Sequence, residues 1–151
     1  MTDLHFRSAS DLGRMIRRRE IGSAELTEHF IARIEKHDPK INAVVARDFD
    51  GARKAAKAAD AALARGEVRG PLHGLPFTIK DAYEVEGIVS TGGHPAWKDN
   101  VPARSATAIA RLQGAGAIVF GHKPTFDIVP KRGHLPGPPG ALAEGDLSVA
   151  G

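Results

Sequence analysis

Apolar residues recur at three- and four-residue intervals through the first third of the chain, then give way to short unbroken apolar runs. Leu12, Met15 and Ile16 stand at i, i+3 and i+4, the stripe of a short helix that Ser8 or Ser10 caps and that runs to about Arg19 before Gly22 breaks it. Leu26, Phe30, Ile31 and Ile34 line a second helix, expected from a Ser23 cap to about His37, where Pro39 forbids continuation. These two helices form a hairpin. Residues 43–47 read as a short strand. Residues 49–65 read as a third helix, so rich in alanine that it either packs close to a neighbour or stands in solvent, and Gly66 ends it.

The texture changes at Gly70. Pro71, Gly74 and Pro76 punctuate a loop leading into an apolar run at 77–81, and a helix over 105–115 precedes a second apolar burst at 118–120. Strand, crossover helix and strand imply a parallel pair, and a continuous run such as 117–120 suits a strand covered on both faces. The expected class is therefore α/β, with helices above and below a sheet. From Gly121 to Gly151 there are six Gly and five Pro in thirty-one residues, with no period of 2 or 3.6. That segment reads as a Pro/Gly-rich loop, longer than a compact domain usually holds unless its surface is supplied by something else.

Composition narrows the function classes. At 151 residues the chain fits one ordinary domain, and 42% hydrophobic with 26% charged residues is globular composition. No window approaches 18 consecutive apolar residues and residues 1–7 are polar, so no membrane span or leader is expected and the chain reads as cytoplasmic. Cysteine is absent, which removes disulfides, thiolate nucleophiles and cysteine-ligated zinc, leaving an oxygen or an amine for any nucleophile. The net charge is +3, and only residues 17–19 form a basic run. That run closes a predicted helix, where cations favour the negative end of the macrodipole, so nucleic-acid contact is disfavoured.

Within 77–81 the period of 2 puts Phe77 and Ile79 on one face and Thr78 and Lys80 on the other. A lysine ending a buried strand loses hydration, its pKa falls, and the neutral amine then acts as a general base. The plainer alternative is a lysine that snorkels to water or pairs with a carboxylate. His73, His94, His122 and His134 fall in separate loops without paired spacing, and Gly92-Gly93, Gly114 and Gly116 do not lie between a strand and a helix start. Neither a metal nor a cofactor is expected.

The stretch Gly70-Pro71-Leu72-His73-Gly74-Leu75-Pro76-Phe77-Thr78-Ile79-Lys80-Asp81, followed by Gly87, Ser90-Thr91-Gly92-Gly93 and the helix and strand over 104–121, closely resembles the amidase signature family. That family includes simple amidases and the amide-hydrolysing subunit of the tRNA-dependent amidotransferase. The resemblance implies that Lys80 is a general base working with a serine in a cis peptide bond and a nucleophilic serine, in a Ser-Lys variant of acyl transfer. It also implies a mixed sheet flanked by helices and a small-molecule amide substrate. It runs in order to about Phe120, so residues 1–120 are expected to form the N-terminal part of an amidase-signature domain.

Family members continue from there into a long glycine/serine-rich stretch bearing both catalytic serines and the oxyanion-hole donors. Here Gly121-His122-Lys123-Pro124-Thr125-Phe126 and Ile128-Val129-Pro130-Lys131-Arg132-Gly133-His134 instead resemble a family segment several dozen residues downstream. Residues 121–151 thus read as a loop-rich piece of the same domain, joined across an internal deletion. Of Ser8, Ser10, Ser23, Ser90, Ser105 and Ser148, four sit where helix caps belong: Ser8, Ser10, Ser23 and Ser105. None lies in a glycine-rich turn, and Ser90 and Thr91 match a hydroxyl-bearing turn that the family does not use for attack. The expectation is an amide hydrolase by descent that lacks its nucleophile. The alternative is a non-catalytic interaction module whose exposed sheet edge self-associates or takes a complementing chain. Strands removed from a sheet expose apolar surface at roughly 25 cal/mol per Å² against about 5–15 kcal/mol of net stability, so the fold should be fragile.

Overall fold

In the computed structural model, which describes residues 4–124, helix α1 (Ala9–Arg17) begins where the Ser8 hydroxyl accepts the Asp11 N–H at 3.1 Å. Leu12 and Ile16 face inward from it, joining Ile21, Leu26, Leu63 and Leu75 in one apolar cluster. Helix α2 (Ser23–His37) follows, but Ser23 is not its cap. Gly22 holds that position, and the carboxylate of Asp60 accepts the N–H groups of Ser23 and Ala24 at 2.6 and 2.9 Å. The Ser23 hydroxyl is fully buried and donates instead to the Gly74 carbonyl at 2.7 Å. A carboxylate at a helix N-terminus satisfies orphan donors and opposes the macrodipole, so a residue 37 positions away does the work expected of the local serine.

Asp60 lies on helix α3 (Phe49–Ala64), whose own start is capped by the Asp48 side chain accepting the Gly51 N–H at 2.9 Å. Ala52, Ala56 and Ala59 form its buried stripe against Ile118 and Phe120, with Ala24, Phe30 and Ile34 of α2 alongside. Of the two fates open to an alanine-rich helix, close packing is the one realised.

Three strands make one sheet of order β1-β3-β2: β1 (Ala46–Arg47), β2 (Pro76–Lys80) and β3 (Ile118–Lys123). β2 and β3 run parallel, joined by the crossover helix α4 (Thr107–Gly114), and β1 lies antiparallel to β3. α4 starts two residues later than the pattern suggests. Its cap is Ala106, and the Ser105 hydroxyl accepts the Glu86 N–H at 3.0 Å, pinning the connection before the helix rather than the helix itself. β3 continues through Lys123, three residues past the end of the apolar run. Phe77 pairs with Val119 but Thr78 with Gly121, so Phe120 is the extra residue of a bulge, and it packs with Ile118 toward α3. A side chain at 121 would put its Cβ 2.5 Å from the Ala46 carbonyl oxygen, so glycine there lets β1 close onto β3.

Helices α2 and α3 thus cover one face. Ile79 and Val119 on the other pack with Val85 and Ile88 from the connection after β2 and with Ile109 of α4. This is an α/β fold with a mixed sheet covered on both sides.

Candidate functional site

Lys80 closes β2 with its side chain exposed. The burial expected for it is not supplied by residues 4–124, in which β2 is an edge of the described sheet. Among the described residues no hydroxyl or carboxylate bonds to its ammonium. Its neighbour in register on β3 is Lys123, also exposed.

One residue further, alternation turns the next side chain inward. Asp81 is 3% exposed, and its carboxylate gathers three donors. Oδ1 accepts the Thr91 N–H at 2.8 Å and lies 3.1 Å from Nδ1 of His122, while Oδ2 accepts the Thr91 hydroxyl. A carboxylate offers no proton, so His122 Nδ1 is the donor. Burial pushes the Asp81 pKa up, but the hydrogen bonds from the His122 ring, the Thr91 hydroxyl and the Thr91 N–H outweigh it and hold the carboxyl below its ordinary range. The Thr91 oxygen also accepts the Gly93 N–H at 3.0 Å, and the Asp81 carbonyl accepts the Gly92 N–H at 3.2 Å. The cluster therefore straps the turn at 90–93 to the ends of β2 and β3.

His122 is fully buried, and among the described residues its Nε2 has no hydrogen-bond partner. The loop expected at this position does not form: β3 extends over it, in register with Ile79 and opposite Ala46. Sequence reasoning did not single out Asp81 or its link to His122. The period of 2 that aims Phe77 and Ile79 inward aims Asp81 the same way, whereas the pairing across 41 positions leaves no local signal.

The other singled-out residues have structural partners. Ser90 is 3% exposed, its hydroxyl donating to the Ile88 carbonyl at 3.0 Å and accepting the Val85 N–H at 3.3 Å. His73 is 1% exposed, with Nδ1 accepting the Arg69 N–H and Nε2 3.1 Å from the Ala59 carbonyl oxygen. His94 caps the short 3₁₀ turn Pro95–Trp97 by accepting the Ala96 N–H at 3.1 Å. His134 and Ser148 lie outside the described residues. A cavity of about 370 Å³ opens beside Asp81 and Thr91, between residues 45–48 and 87–89 with Lys98 at its rim. An apolar groove of about 400 Å³ lies on the α2 side, between Phe30, Ile34, Val44 and Phe120. Lys80 lines neither. Among the described residues no three His, Asp or Glu side chains converge as metal ligands, and no helix is long and apolar enough to cross a membrane.

Comparison with known proteins places this arrangement. The family model Amidase matches residues 25–127, more than half of the chain. A glutamyl-tRNA(Gln) amidotransferase subunit from Acidothermus cellulolyticus is 38% identical over 121 residues, covering 80% of this chain and 24% of the relative. The same subunit from a Roseiflexus species is 41% identical over 121 residues, covering 80% and 25%. Among solved structures, a bacterial aryl acylamidase described as an amidase signature enzyme superposes with a TM-score of 0.74 at 30% identity, over 83% of this chain and 27% of that one. The chain thus spans about a quarter of the length of the curated relatives it matches. With the lysine strand, its crossover helix and the parallel partner strand all inside the matched region, the chain belongs to the amidase family.

Proposed function

We propose that this 151-residue polypeptide descends from an amide hydrolase, keeps the family's proton acceptor as Lys80, and carries out no acyl transfer itself. In the mechanism the resemblance implies, the lysine draws a proton from the nucleophilic serine through the cis-serine, the serine oxygen attacks the amide carbonyl, and water later frees the acyl group. The observation that carries the reading is the isolation of Lys80: among the described residues no hydroxyl bonds to its ammonium. The described serines have other places. Ser8 caps α1, Ser10 is exposed on it, and Ser23, Ser90 and Ser105 are hydrogen-bonded to main chain. A serine-base unit that loses its nucleophile loses on the order of 10⁶ in kcat. The purified chain is expected to release no product from a small aromatic amide above the buffer rate, and Lys80→Ala to change nothing. Product release that Lys80→Ala abolishes overturns the proposal.

A second reading treats the chain as a non-catalytic interaction module in the cytoplasm, self-associating or completed by another polypeptide. It is favoured by the edge position of β2 and by the exposure of large apolar side chains, Phe6 at 81% and Ile41 at 54%. The relatives above are themselves named as subunits.

A further inference from the structure

Two hydrogen bonds at the ends of β2 fix which way its backbone points. The Leu75 carbonyl accepts the Ile118 N–H at 2.8 Å, and the Asp81 N–H donates to the Lys123 carbonyl at 2.9 Å, so the odd-numbered residues face β3. Alternation then turns the main-chain groups of Pro76, Thr78 and Lys80 outward. Pro76 has no N–H, and the Lys80 carbonyl already accepts the Tyr83 N–H at 3.0 Å. Four outward groups remain: the Pro76 carbonyl, both groups of Thr78 and the Lys80 N–H. Among the described residues nothing occupies them.

This set is its own complement under a twofold rotation about Thr78. In an antiparallel pair centred there, the two copies of Thr78 exchange both bonds, and each Lys80 N–H donates to the Pro76 carbonyl of the other copy. The pairing would otherwise strand a Pro76 N–H, which does not exist, and a Lys80 carbonyl, which is already bonded. We infer that a second copy of this chain docks edge to edge on β2 in this register, making a six-stranded sheet of order β1-β3-β2-β2-β3-β1.

The side chains agree with it. Thr78 meets Thr78 of the second copy on the α2 side, and on the α4 side Phe77, half-buried in one chain, falls opposite Ile79 in the closer, non-hydrogen-bonded position. Charge is accommodated as well. Lys80 stands across from Pro76, so the two lysines are four positions apart, about 13 Å along the strand, which exceeds the Debye length of about 8 Å at physiological salt. The inference deepens the interaction reading above and is independent of catalysis.

The chain contains no cysteine, so a single introduced thiol reports on the register. Residues directly opposite in a hydrogen-bonded antiparallel pair have Cα atoms about 5.5 Å apart, within disulfide range. In the 151-residue chain, Thr78→Cys is expected to oxidise to a covalent dimer at least about tenfold faster than Lys98→Cys, on the exposed connection, because pairing concentrates the thiols. By light scattering the parent chain should weigh twice its 16.0 kDa. Thr78→Pro removes the central outward N–H, leaves every bond to β3 in place, and should give a monomer with unchanged circular dichroism. A monomeric parent chain, or cross-linking of Thr78→Cys no faster than of Lys98→Cys, overturns the inference. A dimer that survives in a folded Thr78→Pro also overturns this register while leaving the broader interaction reading standing. Should Thr78→Pro not fold, the cross-linking rates decide.

Discussion

Asp81 sits next to Lys80 and has the opposite surroundings: Lys80 is exposed and without a partner among the described residues, Asp81 buried among three donors. Its folded pKa lies below the ordinary aspartate value of 3.8. The stability this contributes is therefore present above about pH 4 and lost as pH falls through the lower folded value. Asp81→Asn keeps the side-chain shape, removes the titration, and should cost roughly 1–3 kcal/mol near neutrality. Urea unfolding of both proteins between neutral and acid pH checks this. The gap should narrow below about pH 4 as the parent carboxylate protonates, and parallel curves would refute it. At this scale the lysine pattern was legible because it is contiguous. The cluster beside it was not, because Thr91 and His122 reach Asp81 across 10 and 41 positions, and a loop reading of His122 hid its register.

At the scale of elements, the helices were readable from periodicity because each buries a stripe: Leu12 and Ile16 on α1, Leu26 and Ile31 on α2, Ala52, Ala56 and Ala59 on α3. Their ends were less so. Ser23 and Ser105 resemble caps in one dimension, yet each hydroxyl bonds outside its helix, and α2 is capped by a carboxylate from α3. Asp60→Ala should expose two orphan donors in a partly buried site and lower stability by about 1–2 kcal/mol, with Ser23→Ala cutting a different bond, to Gly74. Chemical denaturation checks the first. An Asp60→Ala midpoint equal to that of the parent would mean water caps α2 equally well. The parallel β2 and β3 pair was legible from strand, crossover and strand. The bulge at Phe120 and the run of β3 through Lys123 were not, since Gly121 and His122 carry no strand signal of their own.

Across the whole molecule, the α/β class and the family follow from a motif and a topology that fill only about a quarter of the relatives' length. What the chain shares with them includes the strand bearing Lys80 and the helices that cover its sheet. The proposal of inactivity rests on reading residues 1–151 as lacking the serine-rich stretch that the resemblance assigns to attack. The central claim is that a proton acceptor persists without an activated hydroxyl, and covalent labelling tests it most directly. A phosphonofluoridate forms a P–O bond, expelling fluoride, with a serine that a neighbouring base activates. After incubation with such a reagent the intact mass of the chain should remain at its unlabelled 16.0 kDa. A single phosphonyl adduct on any serine, lost in Lys80→Ala, would contradict the account.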